Sequence, residues 1–132
     1  MLDLSRYDHV SWKEAEQDCW WLVRDFYGWH FGIELPRICV QSGSPLVARR
    51  ALKNHSARRL FEPVSEPRFG YVVELSRDHS ADHVGVYLEF SGAKFLLHNE
   101  RGAGVCVTPL DEVLQDYKVK GFYKYVGTGC SL

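Results

Sequence analysis

The sequence predicts an α+β domain in which N-terminal helices pack against a mostly antiparallel β-sheet. Apolar residues recur at helical spacing in the first third of the chain. From Gly70 onward they alternate with a period of two. Helices first and strands second is the α+β order. The 132 residues fit one domain, 1–132. An apolar content of 45%, with 14% aromatic, builds a core without disulfide or metal staples.

The first helical signal is a stripe at Cys19, Leu22, Val23, Phe26, Tyr27 and His30, with Arg24 and Asp25 off it. Gly32 and Pro36 end it. Two starts compete. Ser11 and Glu14 form a capping-box pattern near Trp12, and Asp18 can cap a helix beginning at Cys19. A short first helix followed by a break satisfies both. Ser44-Pro45 then opens a second helix. Arg49, Arg50, Lys53, Arg58 and Arg59 make this stretch basic, which reads first as a solvated face.

Strands are expected at Tyr71–Leu75, His83–Phe90, Lys94–His98, Val105–Val107 and Phe122–Val126. In the second, Val84, Val86, Leu88 and Phe90 point one way; His83, Gly85, Tyr87 and Glu89 point the other. Gly85 leaves space for a ligand or a helix end. Thr108-Pro109-Leu110-Asp111 looks like the start of a short helix, Asp111–Tyr117.

Several function classes are disfavoured. A net charge of −1 gives no general affinity for nucleic acid or anionic membrane. No apolar run nears the roughly 20 residues of a membrane span. The N-terminus lacks a secretory pattern, so synthesis in a cytoplasm without routine export is expected. The cysteines Cys19, Cys39, Cys106 and Cys130 contain no C-x-x-C pair, against a zinc knuckle or a thioredoxin-like motif. His79 and His83 with Asp78 and Asp82 lie in loop running into strand, where H-x-x-x-H does not bring ligands together. No metal site is expected there.

Cys19 and two histidines can carry chemistry. A thiol needs a nearby cation or a helix N-terminus to become nucleophilic. With Asp18 as cap, Cys19 falls in a first turn whose free N–H groups favour an anion and can hold an oxyanion. On periodicity alone, Cys19 reads first as a core residue of the apolar stripe. If Ser91-Gly92 is a two-residue turn, Phe90 pairs with Ala93 and Gly85 with His98. His83 and His98 then become diagonal neighbours on one face, roughly 7–8 Å apart by Cα. One imidazole can then orient the other. A three-residue turn would put them on opposite faces. His9, His30 and His55 suggest local structural roles.

Three blocks resemble the NlpC-type cell-wall peptidases, a papain-like family. Asp18-Cys19-Trp20-Trp21-Leu22-Val23 is similar to its nucleophile block. His83-Val84-Gly85-Val86-Tyr87 is similar to its histidine block, and Leu97-His98-Asn99 to the strand carrying the third polar member. The resemblance implies a papain-like fold and hydrolysis of amide bonds in peptidoglycan stem peptides, without metal or cofactor. Cys19 would be the nucleophile, His83 the base and His98 the orienting group. Tyr7 matches a tyrosine that helps the Cys19 N–H hold the oxyanion; Asp18, Trp20 and Asp82 would flank the groove. Gly32 to Pro36 and Gly121 to Tyr125 are similar to segments of the tailed-phage branch. That branch implies a tail-tip protein with other tail proteins as partners, acting on the wall from the virion. A structural tail component with little turnover is the alternative. Trp21 stands where the family usually has glycine, and Gly70-Tyr71 where it usually has Gly-Asp; both bear on the groove.

Overall fold

Asp18 and Gly32 bracket the principal helix. The computed structural model describes residues 2–12, 18–37, 59–77, 82–100 and 102–127. Helix α1 spans Cys19–Phe26 and continues as a π-helical turn, Tyr27–Phe31. Asp18 has extended backbone, and its carboxylate accepts the Trp21 N–H at 2.9 Å. That satisfies one of the four donors every helix start leaves open. At the other end Gly32 takes a left-handed φ of 68°, and the Ile33 N–H returns to the Tyr27 carbonyl at 3.0 Å. Leu22, Val23, Phe26 and Tyr27 are buried, as the stripe predicts. Burying each aliphatic or phenyl group contributes roughly 1.5–3 kcal/mol. His30 is exposed instead. The wider π turn breaks the 3.6-residue phase and leaves it stacked on Phe26, with ring centroids 5.2 Å apart.

Asp18→Ala is expected to cost about 1 kcal/mol of stability, and Asp18→Asn less, because asparagine keeps the accepting oxygen. Denaturant unfolding of both variants measures this. Equal losses would mean that the side chain is no cap.

The earlier helix start finds no support at Ser11 and Trp12, which are not helical. Ser5–Tyr7, unanticipated, form a 3₁₀ turn. Glu14, the second helix from Ser44-Pro45 with its basic residues Arg49, Arg50 and Lys53, and the His79–Asp78 pair lie outside the described residues.

The sheet has six strands: β1 (Phe61–Val64), β2 (Val72–Ser76), β3 (Asp82–Phe90), β4 (Ala93–Glu100), β5 (Gly104–Pro109) and β6 (Lys118–Tyr125). Their order is β1-β6-β2-β3-β4-β5, and every neighbouring pair is antiparallel. The pattern missed β1, whose Pro63 argues against a strand; at a sheet margin proline is tolerated. Strand β6 begins before Phe122 because a bulge interrupts its alternation. Glu74 pairs with Gly121 but Leu75 with Val119, skipping Lys120. Helix α2 spans Leu110–Asp116, one residue earlier than expected. Pro109 precedes it and does not occupy its first turn. Tyr117 is already extended.

Ser91 and Gly92 both have positive φ, 50° and 83°. This is the primed turn that joins antiparallel strands with two residues. Phe90 therefore faces Ala93, and Gly85 faces His98. Gly85 does not leave room for a ligand. A Cβ there would stand 2.8 Å from the Leu97 carbonyl oxygen and from Leu96 Cδ1, so the absent side chain admits the neighbouring strand.

The pleat divides the core in two. Val84, Val86, Leu88 and Leu97 pack with α1 on one face. Val73, Leu75, Tyr87 and Leu96 pack with Val113 of α2 on the other. His83 and His98 share the parity of Tyr87 and Leu96, so they stand on the α2 face.

Candidate active site

The turn at Ser91-Gly92 brings two imidazoles together. His83 Nε2 lies 3.0 Å from His98 Nδ1, and His98 Nε2 lies 3.0 Å from Thr108 Oγ1. His98 is buried and His83 partly so. The far side of the His83 ring is covered by Tyr117, stacked at a 5.1 Å centroid distance and 19°. The Arg77 guanidinium lies 4.6 Å from the centroid of the Tyr117 ring. The Tyr117 hydroxyl donates to Glu100 Oε1 at 2.9 Å. Glu100 Oε1 is in turn 3.7 Å from His98 Nδ1.

These contacts constrain the protons. If His98 Nε2–H donates to Thr108, its Nδ1 carries a lone pair that accepts Nε2–H of His83. Nδ1 of His83 is then the basic atom.

Cys19 reaches the same end of β3 from the other face. It opens α1, and its Sγ lies near the backbone N–H of Val84, the residue after His83, and near those of Trp20 and Cys19 itself. Asn99, on β4 beside His98, donates from Nδ2 to the Asp18 carbonyl at 3.2 Å. This bond ties the start of α1 to the strand that carries His98.

The resting charges follow from burial. Desolvation, then the Asp18 carboxylate, pushes the Cys19 thiol up to about 12; the surrounding amides oppose this only in part. Desolvation, then His98 and Arg77, pulls His83 down to about 3. His98 is also lowered by burial, against the pull of Glu100. Burial thus favours the neutral form of each group, the thiol of Cys19 and the imidazole of His83.

Two expectations follow. Alkylation of Cys19 by iodoacetamide, followed on its own peptide by mass spectrometry, should accelerate through the alkaline range, and Asp18→Asn should move that rise to lower pH. A rate already level below neutrality would mean a resting ion pair. The second concerns stability. An unfolded histidine titrates near 6.5 and the folded His83 near 3. As pH falls, the unfolded chain takes up the proton first. The contribution of His83 is complete above 6.5 and is lost as pH falls from there toward 3. Replacing His83 by glutamine should flatten the acid decline of the unfolding midpoint; identical slopes would mean that His83 is not held neutral.

The other sequence candidates separate. Asp18 caps α1 next to Cys19. Trp20 faces inward: it is buried, meets Phe61 edge-on, and donates from Nε1 to the Pro36 carbonyl at 2.9 Å. It is an anchor for the segment after the helix, not a groove residue. Tyr7 is buried beside Asp25, two turns from Cys19 and roughly 9 Å along the helix axis at 1.5 Å per residue. Burial and that carboxylate raise its phenol well above the usual range. Asp82 opens β3 opposite Ser76, and its side chain is outside the described part of the structure. Sequence reasoning missed Thr108, Glu100 and Tyr117. Thr108 was within reach: His98 pairs with Cys106, and Thr108 is two residues along on the same face.

The NlpC/P60 family model matches residues 5–123, a span that holds every residue of the site. A comparison with curated protein sequences finds no match.

Proposed function

The chain belongs to the NlpC/P60 family, and from that premise we propose that it is a cysteine peptidase hydrolysing amide bonds in the peptide stems of peptidoglycan. Members of this family are generally cysteine peptidases acting on that polymer. The observation that carries the reading is the 3.0 Å contact from His83 Nε2 to His98 Nδ1. With the His98 Nε2–H on Thr108, it leaves Nδ1 of His83 as the basic atom, at the end of β3 that the start of α1 approaches.

In the proposed cycle His83 Nδ1 takes the thiol proton as Cys19 Sγ attacks the scissile carbonyl. The neutral pair separates charge only at that moment. Backbone N–H groups at the start of α1 stabilise the sulfur and the oxyanion. His83 returns the proton to the leaving amine, leaving a thioester. It then removes a proton from water, which releases the acid. His98 keeps the tautomer, and Thr108 fixes His98.

The test is digestion of purified walls, one cross-linked through a diamino acid such as diaminopimelate and one through lysine, with fragments identified by mass. New stem-peptide ends are expected from one or both. If neither yields fragments, the domain serves as a structural part.

The setting is a finer part of the proposal: a component of a phage or phage-like tail tip that meets the wall from the virion. The resemblance of Gly32 to Pro36 and of Gly121 to Tyr125 supports it. The first segment is the left-handed stop after α1, and the second lies in β6. Mass spectrometry of purified particles decides this; a chain found only in lysate would point to assembly or lysis.

A further inference from the structure

Three metal-binding atoms converge on one side of the histidine pair. His83 Nε2, His98 Nδ1 and a Glu100 carboxylate oxygen all lie within 4.8 Å of one another. We propose that this trio is an inhibitory site for a zinc-like divalent cation. The inhibitory part rests on the peptidase reading; the binding part does not.

Distance supports it first. Zinc bonds imidazole nitrogen at about 2.0–2.1 Å, so two such ligands at a tetrahedral angle stand roughly 3.3 Å apart. The two nitrogens stand 3.0 Å apart. Each ring must turn by roughly 35° for its lone pair to leave the line between the nitrogens and meet an ion at that bond length. Two imidazoles and one carboxylate, with a fourth position open, suit zinc better than calcium or magnesium, which prefer oxygen.

The supporting shell is also present. A metal-bound histidine usually gives its other N–H to a fixed acceptor, and a bound carboxylate is itself hydrogen-bonded. His98 Nε2 meets Thr108 Oγ1 at 3.0 Å. Glu100 Oε1 receives the Tyr117 hydroxyl at 2.9 Å. A cavity of about 350 Å³ borders two of the three ligands, His98 and Glu100, and is also lined by Glu112 and Asp116, whose carboxylates attract a cation.

Inhibition follows from the protons. Catalysis needs the lone pair of His83 on Nδ1, with the hydrogen on Nε2. The cation needs the lone pair on Nε2. Binding therefore moves the His83 hydrogen to Nδ1; none is released, and His98 keeps its own on Nε2. The ion switches off the base without touching Cys19.

Cobalt(II) and zinc titrations of the full-length Cys19→Ala protein test this without any turnover. The expected result is one bound cobalt with ligand-field bands and no thiolate charge-transfer band. Glu100→Gln, which keeps an acceptor for Tyr117, should weaken binding roughly tenfold or more, and Thr108→Val should weaken it by about as much. Zinc should inhibit the parent, with activity returning on chelation. Loss of binding in Cys19→Ala, a thiolate band in the parent, or unchanged affinity in Glu100→Gln would each overturn the proposal. A wall that is never cleaved would defeat the peptidase reading alone.

Discussion

Cys19→Ala is expected to release no peptide from any wall substrate above background while the domain stays folded. Loss of a nucleophile that works with a base as one unit costs on the order of 10⁴-fold or more in turnover. No water-activating metal is proposed to take over its role. The fold should tolerate the change. Alanine is the best helix former, and Asp18, whose carboxylate caps Trp21, is untouched. Cys19 is only partly buried, at the margin of the α1 core, so the expected loss is about 1 kcal/mol. Thermal melts and fragment release on the same preparation measure both effects. A variant that cleaves at the parent's rate would remove Cys19 from the chemistry.

His83→Ala should be nearly as damaging, lowering turnover by roughly 10²–10⁴-fold, the range for a lost general base. A thiol held up to about 12 has almost no thiolate near neutrality. Among the described residues, His83 is the group proposed to take its proton. The variant should recover part of its activity as pH rises into the alkaline range, because hydroxide can then deprotonate the thiol. The parent should gain far less. His98→Ala should cost less than His83→Ala, since a water can hold Nε2 of His83, and His98→Asn or His98→Gln should retain more than His98→Ala. Rates for these variants across pH decide between a base and a packing role. A His83→Ala variant with an unaltered pH profile would leave only packing.

Much of this arrangement could be read from local chemistry. The cap at Asp18 and the stop at Gly32 are statements about donors and φ angles. The facing of His83 and His98 depended on one turn, and Ser91 and Gly92 adopt the positive φ values that make it two residues long. What was not legible depended on distant parts of the chain. Tyr117 covers His83 from the end of α2, which is distant in sequence from β3. Tyr7 carries no local sign that the 3₁₀ turn will bury it against Asp25. Gly85 looked like empty space because a sequence does not reveal how closely the next strand approaches. The upward shift of the Cys19 thiol was equally hidden. A helix start argues for a thiolate, but desolvation outweighs the amides around Cys19.

That burial also bears on how the protein ages. Peroxide oxidises thiolates to sulfenic acid, and protonated thiols react far more slowly. A thiol that burial holds in its protonated form reacts more slowly with oxidants and with stray electrophiles. In the proposed cycle it becomes vulnerable chiefly while His83 draws its proton away.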